Sequence, residues 1–479
     1  MKKIFLLLGL VTSFALTSCV DLDTMPTNQL SDNEAVTTVN DLQNAVNGVA
    51  YHMIDYNGTS PGSIRMSYTS EFGIYADILT NTFQVGQSSG QTTAISSYQL
   101  TANDALPENA YENFYSTLGH VNKTLAYVSQ VSGDETEIND LKGQLLAWRA
   151  LLHFDLARMF CHIPSTVTDM TAANSGLVLS NQVFDADYKG ARSTLKQTYD
   201  FIISDLTTAM TLLSKEIDEN MLRGEFNYYG ALALRARAYL YMGEYSKALA
   251  DAKEVIDSGL YSLYARGDYA SVWTKEGTSE SIFELRVNDS HNNDRNSTGF
   301  FLDANGYSEC QFNTDGRLYQ YLADSSNGDI RSSLIKDQTD EDIYNAPGYY
   351  SNKYPGRGSS IYVNNFKILR LSEVYLIAAE ASYHLTGGSA AAPYINAIEK
   401  NRVSNYTDVS SVTLDDILFE YEKEFFTENQ IAFAYWRNKL GVTSMDGATI
   451  NYDNDRSIMP IPQTEIDQSG GLLKQNNGY

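Results

Sequence analysis

The sequence predicts a mainly α-helical protein with long loop-rich insertions and a few short β-strands. Apolar residues recur every three or four positions over several long segments, which is the period of a helix with one buried face. Two long polar stretches interrupt this pattern and contain only short runs of β-like character. An apolar fraction of 43% with only 9 prolines favours a folded chain over a disordered one.

The first predicted helix begins at Ser31. Glu34 follows three residues later and completes the pattern of a capping box. Apolar residues then recur at helical spacing from Val39 to Val49.

The clearest helix of the first half runs from Lys142 to Phe160. Its apolar row comprises Leu145, Trp148, Leu152, Leu156 and Met159. Pro164 ends it, and the pattern returns from Tyr188 to Leu213. Further helices are predicted at 107–130, 136–160, 190–213, 369–386, 391–403 and 413–439.

Residues 226–258 have the pattern of two helices joined by a tight turn. Gly243 supplies the turn, and small residues such as Ala236, Ala248 and Ala252 allow the helices to approach closely. The spacing resembles a tetratricopeptide repeat. One such unit cannot bury its apolar face alone, so we expect neighbouring helix pairs to stack on it.

The two insertions span residues 80–105 and 286–365. Short β-like runs occur at Ser281–Leu285 and Ser360–Val363. Insertions of this length are usually functional or disordered, and their aromatic content argues against disorder.

The N-terminus has the charge and polarity order of a secretory signal. Lys2 and Lys3 precede an apolar run from Ile4 to Leu16, and small residues lead to Cys19 as in a lipobox. We expect residues 1–18 to be removed, Cys19 to be acylated and residues 19–30 to form a tether. An ordinary signal peptide with an incidental cysteine is the alternative, whereas the run is too short for a membrane span.

Residues 31–479 are predicted to form a single domain, with an N-terminal part at about 31–215 and a C-terminal part at about 226–479. Without residues 1–18 the chain carries 32 basic and 59 acidic residues, a formal charge of −27. Nucleic acid is therefore excluded as a partner, because its binding requires a basic surface.

Cys161 and Cys310 are predicted to be buried thiols, although pairing stays open. The sequence has no CxxC or HExxH spacing, so we predict no metal site of those types and no cofactor. Whether a structural metal ion binds elsewhere is left open.

Several segments together resemble the SusD/RagB family of nutrient-binding outer-membrane lipoproteins. The most specific is the helix Arg370–Ala381 (RLSEVYLIAAEA), a core helix that is apolar almost all round. Ala147–Pro164, the repeat at 226–252 and the closing segment Met459–Asp467 support it.

This resemblance implies a fold with four repeat-like helix pairs on one side and the insertions on the other. It also implies an outer-membrane, surface-facing location and a SusC-type, TonB-dependent barrel transporter as partner, which we expect to contact the repeat face. The implied cargo is an oligosaccharide. Peptides, as in RagB-like members, or a protein-only adaptor role are the alternatives.

The helix around Glu420 departs from the family pattern. The family commonly has Glu-Arg and, later, Asp-Leu, where this chain has Glu420-Tyr421 and Ala434-Tyr435, so its ion pairs cannot be assumed. Glu420, Glu422 and Glu424 do not form a glycosidase pair, because alternate helix positions face different sides, and we expect them to be solvated. No catalytic motif is present, and the protein is predicted not to be an enzyme.

Glycan binding requires aromatic faces for the apolar sides of sugar rings and polar groups for their hydroxyls. Trp148 and Trp436 lie in helical apolar rows and are assigned to the core. The alternative for each ligand-binding candidate is an anchor of its loop over the core, and the resemblance does not align these residues individually. The candidates in and beside the insertions are Asn81, Phe83, Tyr98, Tyr269, Trp273, Asn288, Arg295, Tyr307 and Phe312.

Overall fold

The structure is a computed structural model that describes residues 36–55, 65–87, 89–185, 187–216, 223–358 and 360–479. The predicted signal segment, the tether, Cys19 and the helix start at Ser31 lie outside the described residues.

Helices dominate the described chain, as predicted. The helices are α1 (Val39–Asp55), α2 (Tyr75–Ile78), α3 (Thr93–Ser96), α4 (Ala105–Tyr127), α5 (Glu135–Phe160), α6 (Leu195–Leu212), α7 (Tyr228–Tyr241), α8 (Tyr245–Asp257), α9 (Thr298–Phe301), α10 (Arg317–Ala323), α11 (Leu371–Thr386), α12 (Gly388–Glu399), α13 (Leu414–Phe425), α14 (Ile431–Arg437) and α15 (Gln463–Gln468). The strands are β1 (Phe83–Gln84), β2 (Ser281–Leu285), β3 (Gln311–Phe312), β4 (Ile335–Gln338), β5 (Gly348–Ser351), β6 (Phe366–Arg370), β7 (Val442–Thr443) and β8 (Thr449–Ile450).

Two helices differ from their predicted bounds, one because of a capping box and the other because of two residues with positive φ values. The helix predicted from Tyr188 begins only at Leu195, because the Thr194 side chain accepts a hydrogen bond from the Gln197 N–H and forms a capping box. The helix predicted over 413–439 is interrupted between α13 and α14. Thr427 and Asn429 there have φ values of 59° and 61°, which a continuous helix does not allow.

The long helices pack in sequence. Each of α4, α5, α6 and α7 packs against the helix that follows it, α8 packs against α11, and α11 packs against α12 and α13. The predicted turn between α7 and α8 is present, with Gly243 at a φ of 71°. Ala236, Ala248 and Ala252 are fully buried at the α7–α8 crossing. Small residues therefore account for the close packing of α7 on α8.

The core includes most of the signature helix. In α11, the side chains from Leu371 to Ser382 are buried except Tyr375. Trp148 and Trp436 are each 1% exposed, in agreement with their assignment to the core. Cys161 and Cys310 are both buried free thiols.

The strands link distant parts of the chain. β2 pairs with β6 in antiparallel register, and β6 leads directly into α11. A four-stranded sheet has the order β1-β3-β5-β4. The run Ser360–Val363 was predicted as a strand and is instead a turn, because Arg357 and Ser360 exchange backbone hydrogen bonds and the Asn364 amide donates to the Ile361 carbonyl.

Across the described ranges, we find no helix that combines the length and the apolarity needed to span a membrane.

Candidate functional site

The two insertions meet and form one face of the protein. β1 of the first insertion pairs with β3 of the second, with Phe83 opposite Phe312. The buried Glu309 carboxylate accepts hydrogen bonds from the backbone N–H groups of Ser89 (2.7 Å) and Gln91 (2.9 Å) and from the Thr92 hydroxyl (2.6 Å). Although burial acts to raise the pKa of Glu309, these bonds hold it below its usual range, because they stabilise the charged form more than burial disfavours it.

Three aromatic rings form a half-buried patch on this face, and we call Phe300, Tyr307 and Tyr362 the aromatic patch. The Phe300 ring contacts Tyr307 edge to face with centroids 5.0 Å apart, and Tyr362 with centroids 5.8 Å apart. Each ring is partly exposed. Such a cluster offers rigid apolar surface at little cost in side-chain entropy.

Charged side chains surround Tyr307. Burial raises the pKa of Tyr307, while the nearby guanidinium groups of Arg65 and Arg295 lower it. Arg65 is held by an ion pair with the buried Glu71 and donates to the Gln91 carbonyl at 3.0 Å. Arg295 is exposed. The patch therefore combines apolar ring faces with two guanidinium groups near enough to act on the pKa of Tyr307.

The backbone around the patch adopts unusual conformations. Met66, Asp294 and Ser308 have positive φ values of 54°, 44° and 59°. Non-glycine residues rarely adopt this region, and such residues concentrate at functional sites. Each lies directly next to Arg65, Arg295 or Tyr307 in the chain, so these conformations help to set the path of the backbone there.

Of the residues predicted from the sequence, Tyr307 and Arg295 lie at the patch. Asn288 is exposed on the loop that leads to Arg295, and its side chain accepts the backbone N–H groups of Ser290 and His291, both at 2.9 Å. Phe83 and Phe312 contact each other with centroids 5.1 Å apart and are at most 2% exposed. They offer no ring face to a ligand and hold the two insertions together.

Tyr269 and Trp273 belong to a buried charge network. The Arg402 guanidinium lies 4.4 Å from the Tyr269 ring centroid, and the Lys353 ammonium lies 4.8 Å from that of Trp273. The two aromatic residues are 0% and 6% exposed. These rings support buried cations rather than a surface ligand.

The centre of this network is Glu424. Its carboxylate accepts from Arg370 at 2.7 Å, Arg402 at 2.9 Å and Arg331 at 3.1 Å. Although burial acts to raise it, these guanidinium groups hold the pKa of Glu424 well below its usual range.

The expectation of a solvated acidic face on α13 is therefore wrong. Glu420, Glu422 and Glu424 are 1%, 7% and 0% exposed. Glu420 pairs with Arg331 at 2.5 Å, so these carboxylates serve the interior. The arginines that pair with Glu420 and Glu424 come from distant segments, which is why the pattern on α13 alone did not reveal them.

Tyr98 and Asn81 lie away from the patch. The Tyr98 hydroxyl donates to the Leu79 carbonyl at 2.5 Å, which anchors the end of the first insertion. Asn81 lines a separate cavity of about 200 Å³ with Arg317, Glu422 and Tyr435.

Sequence reasoning missed Phe300, Tyr362 and Arg65. Phe300 and Tyr362 are aromatic residues of the second insertion, so the rule that selected Tyr307 also covers them. Their proximity depends on the turn around Ser360 and on α9, neither of which has a local sequence signal. Within the described ranges, no group of three or more His, Cys, Asp or Glu side chains is arranged to hold a metal ion.

Two family models together match nearly the whole chain. Residues 22–240 match a SusD-like model described as starch-binding and associating with the outer membrane, and residues 260–479 match the SusD family model. A SusD superfamily protein from Bacteroides vulgatus ATCC 8482 is 30% identical, with a TM-score of 0.81, over 92% of this chain and 99% of that one. The chain belongs to the SusD family. This membership agrees with the resemblance found in the sequence.

Two more distant SusD-like proteins extend the comparison. SusD-like protein P2 of Formosa agariphila is 24% identical over the full length of both chains. Surface glycan-binding protein A of Bacteroides thetaiotaomicron, solved in complex with laminarihexaose, is 20% identical with a TM-score of 0.71 over 92% of this chain and 100% of that one. At this identity, the second likeness shows the SusD fold alone.

Proposed function

We propose that this protein is a non-catalytic, lipid-anchored glycan-binding protein of the outer membrane that captures oligosaccharides at the aromatic patch. The observation that carries the proposal is the cluster of partly exposed Phe300, Tyr307 and Tyr362 with Arg65 and Arg295 at its edge, in a chain of the SusD family. Ring faces suit the C–H surfaces of sugars, and guanidinium groups donate to their hydroxyls.

The proposed transport role rests on the predicted anchor and on the shape of the fold. Acylation at Cys19 followed by a tether over 19–30 keeps the protein at the membrane while leaving its body free to move. Such a tether raises the effective concentration of the protein at a membrane partner. We propose that the partner is a SusC-type, TonB-dependent barrel and that the stacked helices contact it. The adaptor role is then part of the same function.

Peptide cargo is the competing proposal, and the glycan is favoured by the composition of the patch. A peptide site of comparable affinity requires partners for a polar backbone, such as an exposed strand edge or a groove for a helix. The patch instead offers three rings and two guanidinium groups, which fits hydroxyl-rich sugar rings. One protein of the same fold, surface glycan-binding protein A of Bacteroides thetaiotaomicron, is solved in complex with laminarihexaose.

The test is a binding panel with the soluble chain that begins at residue 20. Affinity gels and calorimetry with laminarin, starch, xylan and mannan, and with a mixture of tryptic peptides, separate the two cargoes. For a bound glycan, Tyr307→Ala is expected to weaken binding about tenfold. Covering roughly 55 Å² of one ring contributes about 1.4 kcal/mol at the usual value for apolar area.

The matched control is Tyr188→Ala, because Tyr188 is 49% exposed and lies outside the patch. It should leave glycan affinity unchanged, and Arg295→Ala should weaken it. If peptides bind and none of the glycans does, the cargo is a peptide and the glycan proposal is wrong. Equal effects of Tyr307→Ala and Tyr188→Ala would move the site away from the patch.

The anchor and the partner are tested in the native organism. Cys19→Ala should shift the protein from the outer-membrane fraction to the soluble fraction, whereas the wild-type chain should copurify with an outer-membrane barrel. A wild-type protein that copurifies with no barrel would contradict the transport role.

A further inference from the structure

A second, smaller site lies between the first insertion and the C-terminal helices. The cavity there has a volume of about 200 Å³ and shares no lining residue with the aromatic patch. The lining residues are Thr80, Asn81, Thr82, Arg317, Glu422, Ile431, Tyr435, Gly441, Val442 and Thr443.

The inner wall of the cavity combines apolar and polar groups. Ile431 and Val442 are 1% and 4% exposed, and Thr80 and Thr82 are also buried. Asn81 and Tyr435 are half-buried, and Thr443 is exposed, so these three residues form the mouth. A pocket with this mixture suits a small ring that has apolar faces and a polar rim.

Glu422 lines the cavity and has one carboxylate oxygen that the described part of the chain does not engage. Its side chain is 93% buried, and its Oε1 accepts a hydrogen bond from the Tyr435 hydroxyl. Its Oε2 accepts no hydrogen bond from a described residue and keeps contact with solvent, so it is available to a ligand in the cavity. An incoming hydroxyl would supply the missing donor.

Asn81 adds a free amide to the same cavity. Its backbone N–H donates to the Thr443 carbonyl at 2.6 Å, and its backbone carbonyl accepts from the Asn313 amide at 2.8 Å. The Asn81 backbone is thus held on both sides, while its side-chain amide makes no hydrogen bond to any described residue. A fixed backbone with an uncommitted amide is the arrangement expected of a ligand-contacting residue.

The charges around the cavity favour a neutral occupant. Both terminal nitrogens of Arg317 are bound by Asp415, each at 2.8 Å, so this guanidinium is already paired. Burial raises the pKa of Glu422 to about 6, against the lowering effects of Tyr435 and Arg317, because the charged form is poorly solvated. An anionic ligand would be repelled by the Glu422 carboxylate, and a cationic ligand would be repelled by the Arg317 guanidinium.

From this geometry we propose that the cavity binds a single neutral sugar ring, or a polyol of similar size, independently of the aromatic patch. Glu422 Oε2 accepts a ligand hydroxyl, the Asn81 amide donates and accepts, and Ile431 with Val442 contacts the C–H face. Tyr435, which holds Glu422 in place, stands at a position where the chain departs from the family pattern.

The test uses the soluble chain from residue 20 with D-glucose, D-galactose, D-mannose, D-xylose and N-acetyl-D-glucosamine. Saturation-transfer NMR and calorimetry are run on each sugar, with glycine as a zwitterionic probe. At least one sugar is expected to bind, and Asn81→Leu, which keeps the side-chain volume, should weaken it at least tenfold. Glu422→Gln should weaken it severalfold.

Tyr307→Ala is the matched control, because it should weaken polymeric glycan at the patch and leave the monosaccharide unaffected. Thermal unfolding of every variant distinguishes lost contacts from lost structure, and Asn81→Leu keeps the test valid if Glu422→Gln does not fold. Binding of none of the five sugars, binding of glycine alone, or sugar binding that survives both cavity substitutions would overturn the proposal. If only the Tyr307→Ala result fails, so that this variant binds polymeric glycan as well as the wild type, the proposed function is contradicted and the cavity proposal is not.

Discussion

Replacing Glu424 by glutamine tests whether the buried charge network stabilises the fold. The carboxylate is fully buried and accepts from three guanidinium groups at 2.7 to 3.1 Å and from the Tyr269 hydroxyl at 3.3 Å. Glutamine has nearly the same shape, but its amide would place N–H donors against guanidinium N–H groups.

The expected loss is about 3–5 kcal/mol of the free energy of unfolding, the usual cost when one partner of a buried ion pair is removed. The loss is not larger because each arginine keeps another anion. Arg370 and Arg402 retain Glu280, at 3.1 and 2.6 Å, and Arg331 retains Asp329 at 2.7 Å.

Urea denaturation of wild-type and variant chains measures the loss. Glu254→Gln is the matched control, since Glu254 is 46% exposed and lies 3.6 Å from Lys215. Exposed pairs contribute roughly 0–1 kcal/mol, so this variant should be close to wild type. If Glu424→Gln costs no more than Glu254→Gln, the carboxylate does not have the stabilising role assigned to it.

Two further perturbations separate stability from binding and define the response to pH. Trp273→Ala should lower the free energy of unfolding by about 3–5 kcal/mol, because a 6% exposed indole is removed from the core. The folded fraction of this variant should keep its glycan affinity. Loss of glycan affinity at unchanged stability would instead show that Trp273 contacts the ligand. His153 is buried and neutral, since one ring nitrogen contacts the Arg149 carbonyl at 2.8 Å and the other accepts from the Ser180 N–H at 3.1 Å. Burial lowers the pKa of His153 from 6.5 to about 4. The neutral side chain therefore contributes its full stabilisation to the folded state above pH 6.5. As the pH falls to about 4, the free energy of unfolding should drop by up to roughly 3 kcal/mol. Urea denaturation between pH 4 and 7 should show this slope, and His153→Gln should reduce it; an unchanged slope would mean that other groups cause it.

Much of the helical scaffold was predictable because its signals are local. The apolar row of α5, the turn at Gly243 and the apolar character of α11 each depend on residues a few positions apart. Helix ends were less predictable. The cap at Thr194 shortened one helix, and the positive φ values at Thr427 and Asn429 divided another.

The candidate site was predictable by region but only in part by residue. Tyr307 and Arg295 lie at the patch, whereas Phe83, Phe312, Tyr269 and Trp273 are buried. All of them are aromatic or polar residues in or beside polar insertions, so composition cannot separate a ring that holds the insertions together from one that faces solvent. That distinction depends on strand pairing between positions more than 200 residues apart.

The sequence by itself determined the helical class, the family resemblance, the predicted export and the insertions as the place to look for a ligand. These features reside in periodicity, composition and short motifs. Only the tertiary structure decided that Glu420 and Glu424 of α13 are buried against Arg331, Arg370 and Arg402. It alone placed Phe300 and Tyr362 beside Tyr307, and Asn81 beside Glu422. The physical reason is that burial and neighbours are set by contacts between distant segments, and those contacts exist only once the chain has folded.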